Sequence, residues 1–284
     1  MKDGLQPSHL PTQRKNHAQI LPRGGASGLL GKRLLSVGVT LYKVAMSSVS
    51  PQRRVGLAVA LTLPTLITLV YFVWLAESAA LVYGPLKALQ FALPLVWYFA
   101  VRRHERRAPD TASPQWGASV AMGVAFGALV AAAGLALFYL WLEPLDVFAA
   151  GRGEVLAKVE TMGLRSPGVF IALAVFYSLI HSFLEEYYWR WFVFRECRAQ
   201  QSLPLAIGVS SLGFMAHHVL VLSEYFGWAS PWTYLLSLSV AVGGAFWAWL
   251  YQRYGTLWGP WLSHLLIDAM IFAIGYQMVF APTS

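Results

Sequence analysis

Seven stretches of this chain, at 56–76, 79–101, 117–142, 169–194, 204–222, 232–251 and 257–280, are long, apolar and poor in charge. A helix needs roughly 20 apolar residues to cross the hydrocarbon core of a bilayer. In lipid, only helices and closed barrels satisfy their own backbone hydrogen bonds. The pattern therefore predicts an all-α, polytopic transmembrane helical bundle of seven spans, or eight if the segment 29–46 also crosses. Composition argues the same way, since 57% of the 284 residues are hydrophobic and only 12% are charged. An ordinary globular domain carries about 25% charged residues.

The remaining composition narrows the partners. A single cysteine, Cys197, permits neither an intrachain disulfide nor a cysteine metal cluster. The net charge of +8 sits mostly in the amino-terminal region and the short connectors, which suits anionic lipid headgroups; no nucleic-acid motif accompanies it. The opening run MKDGLQPSHLPTQRKNHAQILPRGG lacks the apolar core of a signal peptide. It is expected to stay on the mature protein as part of a basic tail, residues 1–54, in which GLLGKRLLSVGVTLYKVAM can lie as a helix in the headgroup layer. Residues 55–284 then form the transmembrane domain. Lys and Arg collect on the cytoplasmic side of membrane proteins. Arg53 and Arg54, the RRHERR run at 102–107, Arg195 with Arg198, and Arg253 all fall on one side if the amino terminus is cytoplasmic. A bacterial cytoplasmic membrane is the expected location.

Three spans carry ionisable groups where each costs at least about 2.5 to 3.5 kcal/mol near the bilayer centre. The fourth holds Glu185, Glu186 and Arg190, the fifth His217 and His218, and the seventh His264 and Asp268. Glu186 and Arg190, four apart, can neutralise each other on one helix face, and one of two adjacent histidines is expected to pack rather than react. His181, four residues before Glu185, can share its face. A bundle that aims all of these groups at one cavity removes them from lipid together. Proton-coupled carriers are built from similar groups, yet carriers commonly show repeated halves. Here the polar groups are read in the second half of the chain alone, which favours an enzyme over a carrier or a non-catalytic membrane scaffold.

The spacing also carries a resemblance. Glu185, Glu186 and Arg190 fit EExxxR, Phe214 and His218 fit FxxxH, and His264 with Asp268 fits HxxxN/D. In that order, on successive membrane helices, the motifs resemble those of the CPBP family, which comprises CAAX prenyl endopeptidases of the Ras-converting type and bacterial Abi proteins. The resemblance spans residues 169–280. It implies an intramembrane endopeptidase acting on a membrane-associated protein or peptide precursor. Glu185 would be the general base, His218 would help hold the attacking water, and His264 with residue 268 would stabilise the oxyanion, with Glu186 and Arg190 in support. A non-catalytic membrane scaffold or bacteriocin-immunity protein is the remaining alternative.

Asp268 departs from the Asn of many members, and an ionised Asp cannot donate to an oxyanion. Glu185, Glu186 and Asp268 would also set three carboxylates against Arg190 alone. A proton on Asp268 or a histidine would relieve this, as would a divalent metal. If present, a metal would be held by Glu185, His218 and His264, since two histidines and a carboxylate match a catalytic zinc set. The metal-free, glutamate-type site without a cofactor is the expectation adopted.

Overall fold

The structure, a computed structural model, describes residues 51–75, 78–102, 114–147, 149–161 and 165–280. The candidate eighth span at 29–46 and the tail up to residue 50 lie outside the described residues. Among the described residues there is no strand, as the apolar pattern predicts, and there are eight helices, one of them within the connector read at 143–167. They are α1 (Pro51–Trp74), α2 (79–102), α3 (Trp116–Leu142), α4 (Ala149–Thr161), α5 (Pro167–Gln200), α6 (Leu203–Phe226), α7 (Pro231–Tyr254) and α8 (Trp258–Phe280).

Local sequence explains the helix ends. α5, α6 and α7 each begin with a serine, Ser166, Ser202 or Ser230, in extended backbone, followed by a proline in the first turn. Proline fits there because its missing N–H would have had no partner inside the helix. Gly255, at φ +67°, turns the chain out of α7, in the left-handed backbone region that glycine enters without steric cost.

Six of the helices, α1, α3, α5, α6, α7 and α8, are long and apolar enough to cross a membrane. The remaining long helix, α2, matches the stretch predicted at 79–101 but carries Lys87 and Gln90, both buried. It runs alongside α5: the Tyr177 hydroxyl donates to Tyr83 at 2.9 Å near one end, and Trp97 meets Phe192 at a ring separation of 6.3 Å near the other.

α5 is the central element. Its segment Tyr188–Phe194 is buried except at Trp191, against Leu57 and Ala60 of α1, Ala206 and Phe214 of α6, and Trp247 and Tyr251 of α7. Tyr188 donates its hydroxyl to the Ala60 carbonyl at 2.7 Å. The helix contains two wide π-helical runs, Phe176–His181 and Tyr187–Phe194, on either side of the short α-helical Ser182–Glu186. Wide turns of this kind recur in helices at functional sites.

Helices α3 and α8 approach through small residues, as close membrane helix pairs do. A Cβ on Gly123 would lie 2.2 Å from the Gly259 carbonyl oxygen, and one on Gly127 would lie 2.9 Å from the Ser263 Cα. This contact sets the position of the part of α8 that carries Ser263 and His264.

One end of the bundle collects the arginines. Arg53 at the start of α1 pairs with Glu196 near the end of α5 at 3.1 Å. Phe194 of α5 meets Tyr251 of α7 at 6.3 Å, and the Gln115 N–H before α3 donates to the Tyr254 carbonyl at the end of α7 at 3.0 Å. Arg53, Arg195, Arg198 and Arg253 therefore share one end.

Candidate active site

α5, α6 and α8 bring Glu185, Glu186, Arg190, His217, His218, His264 and Asp268 together inside the bundle, and α7 supplies the wall behind them. Glu186 is fully buried and uses one carboxylate oxygen twice. Its Oε1 accepts from Arg190 Nη1 at 2.9 Å and from His264 Nδ1 at 2.8 Å. The pairing foreseen between Glu186 and Arg190 thus exists, but it also ties α5 to α8. The Arg190 guanidinium lies over Phe214 at 4.6 Å and over Trp247 at 4.8 Å. Aromatic faces attract a cation through the ring quadrupole. Gly244 of α7 leaves room for it, since a Cβ there would stand 3.2 Å from Arg190 Nη2.

His264 is held on both sides. Trp247 stacks on its ring at 4.4 Å, nearly parallel, and is itself anchored by donating its indole N–H to Ser263 Oγ at 2.9 Å. With Nδ1 turned to Glu186, the other nitrogen, Nε2, faces Glu185 Oε2 at 3.8 Å and Asp268 Oδ1 at 3.6 Å. A neutral imidazole whose proton goes to Glu186 would present a bare lone pair to two carboxyl groups. A proton must therefore sit on Nε2 or on one of those carboxyls.

Glu185 is buried between two imidazoles. Its Oε2 faces His264, and its Oε1 lies 3.5 Å from His217 Nε2. The motif had singled out His218 for that neighbourhood, and the structure divides the histidine pair differently. His217, stacked parallel to Trp189 at 5.9 Å, makes the contact with Glu185. His218 is only half-buried, and its Nδ1 lies 3.0 Å from the carbonyl of Phe214 one turn earlier. That hydrogen bond requires the proton on Nδ1 and leaves Nε2 as the free acceptor of His218, still within electrostatic reach of Glu185. The two rings lie 4.2 Å apart.

His181 is buried one turn before Glu185. It stands against Tyr177 at 4.7 Å and edge-on to Phe91 at 6.0 Å. Lys87 of α2 is a group that the motif reading missed. It is buried within electrostatic reach of Glu185 and His181, so the polar groups are not confined to the second half of the chain. A signal existed: a lone lysine in the middle of an apolar stretch is as costly there as a glutamate. With Lys87 counted, Glu185, Glu186 and Asp268 face Arg190, Lys87 and the titratable His264. The excess of carboxylates expected from the motifs is correspondingly smaller.

Among the described residues no group of three His, Cys, Asp or Glu side chains is arranged to hold a metal ion. Glu186 holds His264 through Nδ1 and the Phe214 carbonyl holds His218 through Nδ1, which leaves Nε2 of each ring for other partners.

Residues 167–270 match the family model described as Type II CAAX prenyl endopeptidase Rce1-like. Comparison with curated proteins and with solved structures finds no match. The matched segment contains every site residue placed above on α5, α6 and α8, whereas Lys87 lies outside it. Residues 167–270 of this multi-pass membrane protein are thus similar to the CAAX prenyl endopeptidases, the family that the order of the three motifs resembles.

Proposed function

We propose that this protein hydrolyses a peptide bond in a membrane-associated protein or peptide precursor, with Glu185 as the general base and no metal. The observation that carries the reading is a buried carboxylate flanked by two imidazoles. Hydrolysis needs a base within hydrogen-bond reach of a water and donors aimed at the oxygen that becomes negative.

A water between Glu185 and the free Nε2 of His218 loses a proton to Glu185, and its oxygen bonds to the scissile carbonyl carbon. The carbonyl oxygen takes up the negative charge and is met by a protonated His264 Nε2. Glu186 holds His264 in register through Nδ1, the role an orienting carboxylate plays towards a catalytic imidazole. His217 steadies Glu185 from the opposite side. Glu185 then returns its proton to the leaving nitrogen as the carbon–nitrogen bond breaks, and the resulting amine and acid separate. Asp268, facing His264 Nε2, favours the protonated imidazole. This gives a carboxylate a use at a position where many relatives of the family pattern carry an amide donor.

The peptidase family match favours this reading over a carrier or a scaffold. The test uses the full chain reconstituted in liposomes with prenylated and unprenylated peptide libraries. Glu185→Gln should unfold at the parent's temperature and lose about 10²- to 10⁴-fold in cleavage rate, the usual contribution of a general base. Undiminished cleavage by this variant would remove Glu185 from the role. A zinc chelator should leave the parent's rate unchanged; loss of activity that added zinc restores would replace the metal-free reading.

A further inference from the structure

Within electrostatic reach of Glu185, residues of α1, α2 and α5 surround a second polar group. Lys87 and Gln90, three residues apart on α2, are both buried, and Lys87 Nζ donates to Gln90 Oε1 at 3.3 Å. An ammonium has three donors, and no carboxylate among the described residues stands within ion-pairing distance of this one. The Gln90 amide nitrogen is buried and has no hydrogen-bond partner among the described residues.

The walls are aromatic. Tyr71, Tyr83 and Phe91 lie 5.9, 6.0 and 5.7 Å from Nζ. Tyr83 accepts from Tyr177, and Phe91 meets His181, which stands one turn before Glu185 on α5. The result is a buried pair of donors, the Lys87 ammonium and the Gln90 amide, that no carboxylate among the described residues meets at bonding distance, although the candidate base Glu185 lies within electrostatic reach. Burying such a group without a partner is costly, and a ligand that supplies the anion recovers that cost.

We propose that Lys87 and Gln90 form a carboxylate-binding subsite for the peptide substrate. The carboxylate would accept from the Lys87 ammonium and from the Gln90 amide while the scissile bond lies at Glu185. It comes either from the substrate's carboxyl terminus or from an Asp or Glu side chain. The assignment rests on the peptidase reading for its substrate class, but binding requires no turnover, so a failure of cleavage and a failure of this subsite register separately.

The test measures binding of N-acetylated trileucine, as free acid and as carboxyl-terminal amide, to the detergent-solubilised full chain by calorimetry. N-acetyl-Leu-Asp-Leu-amide and N-acetyl-Leu-Asn-Leu-amide form the second pair. Charge-assisted hydrogen bonds are about twice as strong as neutral ones, so the acidic member of one pair should bind about tenfold tighter. Preference for the free acid identifies the terminal carboxylate, and preference for Asp over Asn identifies a side chain. Lys87→Met should abolish the preference, Lys87→Arg should keep it, and Gln90→Leu should reduce it, with thermal unfolding confirming that each variant folds. Equal binding within both pairs, a preference that survives Lys87→Met, or no binding of any probe at millimolar concentration would overturn the proposal.

Discussion

Glu186 is hydrogen-bonded to two basic side chains from different positions in the chain, Arg190 on its own helix and His264 on α8. Glu185, its neighbour, makes the two longer approaches to His217 and His264. The two carboxylates should therefore fail differently when neutralised. Glu186→Gln leaves a buried guanidinium short of its counter-charge, and breaking a buried pair in this way costs about 3 to 5 kcal/mol. It also frees His264 to rotate, so stability and cleavage should fall together, whereas Glu185→Gln should affect cleavage alone. Thermal unfolding of both variants beside the parent decides the point. Parent-like unfolding of Glu186→Gln would mean that the Arg190 and His264 contacts carry little of the fold. The motif EExxxR already marked both acids, but which one holds the structure together depends on partners that sequence spacing does not reveal.

At the scale of elements, the site depends on how closely α8 is pressed to α3. Gly123 and Gly259 meet backbone to backbone, and His264 follows little more than one turn after Gly259. A backbone atom cannot swing aside as the end of a side chain can, so Gly123→Ala must push the helices apart. Overpacking of this kind costs about 1 to 3 kcal/mol, and here it would also shift His264 relative to Glu185. Gly117→Ala, near the start of the same helix, places its Cβ in open space and should be neutral or slightly stabilising. Unfolding temperatures and cleavage rates of the two variants test this contrast, and equal behaviour would show that the α3–α8 contact does not govern the site. The π-helical runs of α5 belong to the same scale. A regular helix turns about 100° between neighbours, yet Glu185 and Glu186 are both buried, each facing a different set of partners around a helix enclosed by α1, α6, α7 and α8.

For the whole molecule, we propose that the end of the bundle that collects the arginines faces the cytoplasm, because Lys and Arg remain preferentially on that side. Cys197 is buried, so a cysteine introduced at an exposed position reports alone. Gln52→Cys at the start of α1 should resist an impermeant thiol reagent in intact cells and react after permeabilisation. Gly153→Cys in α4, where a Cβ meets nothing within 4 Å, should react in intact cells. The opposite labelling pattern would reverse the orientation.

What the sequence determined by itself was the placement of the long apolar helices, the all-α class, the costly ionisable groups on the fourth, fifth and seventh stretches, and the motif order that the family match at 167–270 supports. These follow from local properties: runs of apolar residues, charge, and spacing along one helix. Only the tertiary structure decided that His217 rather than its neighbour makes the contact with Glu185, that one oxygen of Glu186 joins α5 to α8, and that Lys87 of α2 reaches the same interior. The direction of adjacent side chains depends on helix phase and on the surfaces a helix is packed against, and a charge isolated in one apolar stretch acquires its partners only when another helix is laid beside it.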